Sequence, residues 1–113
     1  MAGITTHVLD LGLGRPARGV PVKLEVQAEG GWVTLAERMT DGDGRVKDLI
    51  AAGTKVSAGR YRLTFGTAEY AEARGVPTFY PEVQIAFEIK DREQSYHVPL
   101  LLSPFGYSTY RGS

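Results

Sequence analysis

The sequence predicts an all-β protein, an antiparallel sandwich or barrel of about eight short strands with one short helix. The first observation is a period-two alternation of apolar and polar side chains over residues 20–26, 83–89 and 96–102, typical of strands with one buried face. The second is the regular spacing of Gly, Pro and Asp clusters between such segments. The third is the length of 113 residues, which suits one core and predicts a single domain over residues 1–113.

Five weaker segments complete the set of expected strands. They cover residues 4–10, 32–38, 45–49, 60–65 and 106–110. The segment from Thr67 to Gly75 differs, because it is rich in helix formers. Thr67 can cap its N-terminus, Glu69 lies in the first turn where the helix dipole favours it, and Gly75 suits the C-terminal cap. We expect a helix of about two turns here.

Composition excludes several classes of protein. Thirteen Lys and Arg balance thirteen Asp and Glu, so the basic surface that binds nucleic acid is not expected. The apolar stretches are far too short to span a membrane, and the first ten residues do not read as a secretory signal. We therefore expect a cytoplasmic protein without nucleic-acid or membrane partners. The absence of cysteine excludes disulfides, thiolate metal sites and a cysteine nucleophile.

The two histidines dominate a short inventory of possible catalysts. In the alternating pattern, His7 and His97 fall on the strand face opposite the apolar residues. Both therefore point away from the predicted core, toward solvent or toward another subunit. The residues alone leave open whether they are catalytic or are surface histidines without a task.

The segment from Asp41 to Arg45 resembles the start of a calcium loop, but the resemblance fails. Its fifth, sixth and twelfth positions are Arg45, Val46 and Ala52, where an EF-hand needs Asp or Asn, Gly and Glu. A glycine-rich turn that delivers Arg45 at the start of a strand is the better interpretation. The histidines lack zinc-ligand spacing, and hydrolase-elbow, Walker and dinucleotide motifs are also missing, so we expect neither a metal nor a cofactor.

The C-terminal segment is unusually aromatic for a chain end. Phe105, Tyr107 and Tyr110 follow directly on a predicted strand, whereas terminal residues usually fray. We expect the tail to pair as a final strand and to be covered, for example by a second chain.

Four motifs in order resemble the 5-hydroxyisourate hydrolases of the transthyretin-like family. They are an N-terminal Thr-His-Val-Leu-Asp, a Gly-Arg after the mid-chain turn, a late Tyr-His-Val-Pro-Leu-Leu-Leu-Ser-Pro and a final Tyr-Arg-Gly-Ser. The resemblance runs from Ile4 to Ser113. The ending from Tyr110 to Ser113 is its most specific part, because it distinguishes the enzymes from transthyretin, their hormone-carrying relative.

This resemblance implies a prealbumin-type sandwich of eight antiparallel strands in two sheets, with a short helix after the fifth strand. It also implies a homotetramer in which sheets of different dimers face each other across a channel that holds the active sites. The implied reaction, without a cofactor, is hydrolysis of 5-hydroxyisourate to 2-oxo-4-hydroxy-4-carboxy-5-ureidoimidazoline in urate breakdown. The implied catalytic residues are His7, Arg45, His97 and Ser113, while Tyr110 binds substrate together with His7 and Arg45.

Two questions remain open at this level. The family places the strand that contains Pro99 inside a sheet, where proline cannot donate a ladder hydrogen bond, so we expect a bulge near His97.

The alternative function is a transthyretin-like carrier that holds a small aromatic ligand in the same channel. The Tyr-Arg-Gly-Ser ending and the set of two histidines and an arginine favour the enzyme. An adhesive sandwich domain is disfavoured by the absence of flanking modules.

Overall fold

Nine strands and one helix make up the part of the chain that the structure, a computed structural model, describes, residues 3–50 and 54–113. In chain order they are β1 Ile4–Asp10, β2 Arg15–Pro16, β3 Pro21–Ala28, β4 Gly31–Met39, β5 Arg45–Val46, β6 Gly59–Phe65, α1 Thr67–Arg74, β7 Val83–Ile89, β8 Tyr96–Ser103 and β9 Gly106–Thr109. The strands form two sheets, so the predicted sandwich and its short helix are confirmed.

One sheet has the order β2-β1-β8-β9, with β5 also paired to β1, and the other has the order β4-β3-β6-β7. The pairing of β1 with β8 is parallel, and the other pairings of the described strands are antiparallel. The antiparallel prediction is therefore wrong for this one pair. The reason is that strands from opposite ends of the chain meet here, and their relative direction depends on the path between them, which side-chain alternation does not encode.

The strand predictions differ from the structure in two places. The strand predicted over residues 45–49 ends after Val46, because the chain bends away and buries Leu49 in the core. The two-residue strand β2 was not predicted, since two residues are too few to show an alternation.

The core lies between the two sheets and receives every second side chain of their central strands. In β1, residues Ile4, Thr6, Val8 and Asp10 are buried, and the residues between them are half-buried on the outer face. In β8, Val98 and Leu100 are buried while His97 is half-buried. The prediction that both histidines face away from the core is confirmed, because a strand that buries one face presents the other.

Helix α1 ends as predicted but begins differently. Gly75 closes it in the left-handed conformation at φ 68°, where glycine has no Cβ penalty. Gly66, not Thr67, occupies the N-cap position, and it provides no side-chain cap. Thr67 is instead the first helical residue, and its hydroxyl donates to the Tyr80 carbonyl at 2.6 Å, an acceptor that the sequence alone does not reveal. No helix in the described part of the chain is long and apolar enough to cross a membrane.

Candidate active site

Three of the four side chains expected to be catalytic, His7, Arg45 and His97, lie on the outer face of the first sheet. His7 of β1 is paired with Arg45 of β5, and Thr5 of β1 is paired with His97 of β8. Residues paired across strands point to the same face, with Cβ atoms about 5 Å apart for directly opposed antiparallel residues. The sheet therefore brings Arg45, His7 and His97 together from three strands that are distant in sequence.

The loop before β5 holds Arg45 on a fixed backbone. One Asp41 oxygen accepts hydrogen bonds from the amides of Asp43 at 2.9 Å and Arg45 at 3.0 Å. The bond from the Arg45 amide holds the pKa of Asp41 below its usual value. Gly44 has φ 73°, and a Cβ there would collide with the carbonyl oxygen of Val8. The predicted turn is confirmed, and it attaches the loop directly to β1.

His7 is held through one ring nitrogen. Its Nε2 donates to the carbonyl oxygen of Asp43 at 2.8 Å. Because a carbonyl oxygen only accepts, Nε2 carries the proton in this bond, and the neutral ring keeps its lone pair on Nδ1. The loop that delivers Arg45 thus also selects the basic nitrogen of His7.

His97 is held through the other ring nitrogen. Its Nδ1 lies 2.8 Å from the hydroxyl oxygen of Thr5. Burial lowers the pKa of His97, and the nearby charges of Arg45 and His7 lower it further. A pKa below the ordinary value of 6.5 keeps this imidazole neutral at pH 7, so it can accept a proton.

The C-terminal tail crosses directly over His97. After β9, the amide of Gly112 donates to the His97 carbonyl at 2.8 Å. A Cβ on Gly112 would overlap the imidazole at Cδ2, so only glycine fits against the ring in this position. Arg111 anchors the tail, because it donates to Gln94 at 2.8 Å and lies 4.6 Å over the Tyr96 ring. The predicted final strand is confirmed in β9.

Pro99 is accommodated without the bulge that we expected. Strands β8 and β9 pair through Leu100 and Thr109, and the bridge between His97 and Gly112 continues in the same register. No residue is inserted between these pairs, so the bulge prediction is wrong. The ladder is instead interrupted beside Pro99, and the Thr109 hydroxyl donates to the Pro99 carbonyl at 2.7 Å.

The structure does not join the last two predicted site residues to the histidines. Tyr110 is 57% exposed, Ser113 is also exposed, and in the described part of the chain neither hydroxyl is hydrogen-bonded to His7 or His97. Tyr110 lines a cleft of about 260 Å³ between the tail and β7. His97 and Arg111 line the same cleft, so the tail borders the space beside the histidine.

A second cleft, of about 200 Å³, lies beside α1. Two of its titratable side chains are hydrogen-bonded to each other, since the Tyr70 hydroxyl donates to Asp10 at 2.7 Å. Burial raises the pKa of Tyr70 to about 12, and the hydrogen bond to Asp10 adds to the shift. The hydrogen bond ties the helix to β1, and the raised pKa makes Tyr70 unsuited to acid-base chemistry near pH 7.

The outer face of the first sheet can support acid-base chemistry with charge stabilisation. Two imidazoles can each transfer a proton, and the guanidinium of Arg45 can bind two oxygen atoms at once. Among residues 3–50 and 54–113, no group of three or more His, Asp and Glu side chains could hold a metal ion.

Comparison with known proteins identifies the family and the fold. The sequence model of the HIUase/transthyretin family matches residues 4–112. The chain belongs to the HIUase/transthyretin family. The 5-hydroxyisourate hydrolase of Salmonella dublin is 46% identical over 110 residues, which cover 97% of this chain and 80% of that protein. The solved 5-hydroxyisourate hydrolase of Klebsiella pneumoniae is 40% identical, with a TM-score of 0.87 over 100% of both chains.

A solved relative with thyroxine bound has a similar shape. Sea bream transthyretin, solved in complex with thyroxine, is 32% identical, with a TM-score of 0.90 over 97% of this chain and 94% of that one. The similarity in shape therefore does not separate enzyme from carrier. The higher identity to named hydrolases does, and it confirms both the family resemblance and the hydrolase class.

Sequence reasoning missed three residues that shape this site. The Thr5 hydroxyl and the Asp43 carbonyl each hold a histidine, and the backbone of Gly112 covers the ring of His97. Gly112 could have been singled out from the sequence, because it lies inside the terminal Tyr-Arg-Gly-Ser motif. The contacts of Thr5 and Asp43 with the histidines depend on which strands are neighbours, and no local pattern reveals that.

Proposed function

We propose that this protein is a 5-hydroxyisourate hydrolase that adds water to a ring carbonyl and breaks the adjacent C–N bond. The product is 2-oxo-4-hydroxy-4-carboxy-5-ureidoimidazoline, which places the protein in urate breakdown. The observation that carries this proposal is the grouping of His7, Arg45 and His97 on one sheet face. These are the positions that the family motifs assign to catalysis.

The first step needs a base, because water is a weak nucleophile at neutral pH. A neutral imidazole accepts a proton from water as the oxygen attacks the carbonyl carbon. The tetrahedral intermediate then collapses, the C–N bond breaks, and the departing nitrogen takes a proton from an imidazole. His7 has Nδ1 free of its hydrogen bond to Asp43, and the lowered pKa of His97 favours its neutral form, which can accept a proton.

The charge that develops on the carbonyl oxygen needs a fixed partner. Arg45 is suited to this role, because its guanidinium is permanently charged and its backbone is fixed by Asp41. In the same proposal, Tyr110 and Ser113 of the C-terminal tail bind the substrate or one of the two histidines. We expect substrate binding to bring the side chains of Tyr110 and Ser113 toward the site. Both are exposed, and they lie in the tail that crosses His97.

The Arg45→Lys variant tests the role of the guanidinium. An ammonium keeps the charge but cannot reproduce a two-pronged contact, so we expect kcat/KM to fall by about 10², the usual scale for one electrostatic donor. Folding should be unchanged, because the backbone hydrogen bond that joins residue 45 to Asp41 is kept. The matched control is Arg60→Lys, the same substitution at an exposed position of the other sheet. Near-normal turnover of Arg45→Lys would show that Arg45 is only a surface charge and has no role in catalysis.

The carrier alternative is favoured by the similarity to sea bream transthyretin and is tested by one assay. 5-Hydroxyisourate is generated in the cuvette by urate oxidase, and its ultraviolet absorbance is followed as it decays. A hydrolase accelerates this decay above the spontaneous rate. A carrier slows it by sequestering the compound or leaves it unchanged, and either result would rule out the proposed function.

We also propose a homotetramer with the sites in a channel between dimers. The supporting observation is an aromatic patch open to solvent in the single chain, in which Phe79 (68% exposed) and Tyr107 (42% exposed) both contact the ring of Tyr80. Large apolar patches on a soluble protein mark contact surfaces. Light scattering is expected to give roughly four times the chain mass of 12.3 kDa. A monomer that persists across micromolar concentrations would contradict this assembly.

Two further predictions belong to the same proposal. Residues 1–113 are expected to form one domain, which is supported by a single hydrophobic cluster drawn from both sheets and α1. The cytoplasm is the expected location, without nucleic-acid or membrane partners, and cell fractionation tests it.

A further inference from the structure

Thr5 contacts the catalytic candidate His97 from the neighbouring strand. The parallel pairing of β1 and β8 places the two residues opposite each other on the outer face of the sheet. The Thr5 hydroxyl oxygen lies 2.8 Å from Nδ1 of the imidazole. Both side chains are half-buried, so water competes for this hydrogen bond less than it would at a fully exposed site.

The imidazole of His97 has one ring nitrogen left for chemistry. Thr5 occupies Nδ1, and the backbone of Gly112 lies against the edge of the ring at Cδ2. The remaining nitrogen is Nε2. A ring that is held on two sides cannot flip to exchange its nitrogens without breaking one of these contacts.

The backbone of Thr5 also influences the proton on this ring. A hydrogen bond to it acts on the pKa of His97 in the direction that favours a bound proton, against the larger effect of burial. With the proton on Nδ1, the Thr5 hydroxyl accepts it in the observed contact and Nε2 keeps the lone pair.

We propose that Thr5 is a positioning residue that holds His97 in one tautomer and one orientation, so that Nε2 faces the substrate. Thr5 does not touch the reacting atoms and acts only through His97. Its effect on rate rests on the proposed hydrolase function, whereas its effect on the tautomer does not.

The test compares Thr5→Val with Thr5→Ser. Valine has the shape of threonine and the same β-branched preference for strands, but it lacks the hydroxyl, while serine keeps the hydroxyl. We expect Thr5→Val to lower kcat by about 10- to 100-fold, the scale on which hydrogen-bond partners of functional histidines act, with little change in KM. Thr5→Ser should recover most of this loss, because it restores the partner of Nδ1.

Ring ¹⁵N NMR gives a readout that is independent of activity. The chain has two histidines, so its spectrum contains two rings, and the His7→Ala variant assigns them. In Thr5→Val, the His97 nitrogen shifts should move from a single tautomer toward the average of two. The His7 shifts serve as the internal control, because that ring is held by Asp43.

Thr34→Val is the matched control, because it removes an exposed threonine hydroxyl from a strand of the other sheet. It should change neither rate nor spectrum. An unchanged His97 tautomer in Thr5→Val would overturn the proposal, and so would a rate loss that serine does not recover. If wild type does not hydrolyse 5-hydroxyisourate, the proposed function fails, but the NMR comparison still decides the role of Thr5.

Discussion

The His7→Ala and His97→Ala variants are expected to lose about 10² to 10⁴ in kcat/KM, the scale of general acid-base catalysis. Both imidazoles lie beside Arg45 on an open sheet face, and each is held through one nitrogen with the other left for proton transfer. The measurement is the ultraviolet decay of freshly generated 5-hydroxyisourate, corrected for its spontaneous rate.

Stability and pH separate a catalytic loss from a folding defect. Neither imidazole packs into the core, so the melting temperature should stay within a few degrees of wild type. Burial and the charges of Arg45 and His7 lower the pKa of His97. The midpoint of His97 protonation therefore lies below pH 6.5, and we expect wild-type activity to fall as the pH drops through that midpoint. A histidine variant that keeps wild-type rates would remove that residue from the mechanism.

The Gly112→Ala variant is expected to be nearly as damaging as the loss of a histidine, with kcat/KM reduced by about 10² or more. The added methyl group would overlap the ring of His97, which must then turn away from Thr5 or push the tail off the sheet. Gly112 does not have a positive φ, so the backbone itself tolerates alanine. A loss of activity in Gly112→Ala would therefore come from the contact between residue 112 and the His97 ring.

Gly106→Ala is the control within the same hairpin, because a Cβ at Gly106 meets nothing within 4 Å. Its activity should match wild type.

Deletion of Tyr110 to Ser113 should be as damaging as loss of a histidine, although terminal residues are usually expendable. Combining this deletion with His97→Ala should cost little more than either change alone, since residues that act as a unit are not additive. Full activity of Gly112→Ala would show that the tail does not act through His97.

Local patterns determined the elements of this protein and the chemistry that they carry. Alternation placed every strand of more than two residues in the described chain, and it set His7 and His97 on the outer face of their strands. This works because a sandwich buries one face of each strand, so the burial of a residue follows from its position in the alternation. Four motifs in order, of which the terminal one is the most specific, identified the family, and the comparison with known proteins confirmed it.

The neighbours of those strands were decided only by the tertiary structure. The parallel contact of β1 with β8 brings Thr5 to His97, and the contact of β5 with β1 brings Asp43 and Arg45 to His7. The partners in these contacts are 36 to 92 residues apart in the chain. Alternation repeats every two residues and carries no information about which strand lies alongside, or in which direction it runs. The sequence by itself therefore determined which side chains reach the open face, and the tertiary structure decided which nitrogen of each histidine is left for proton transfer.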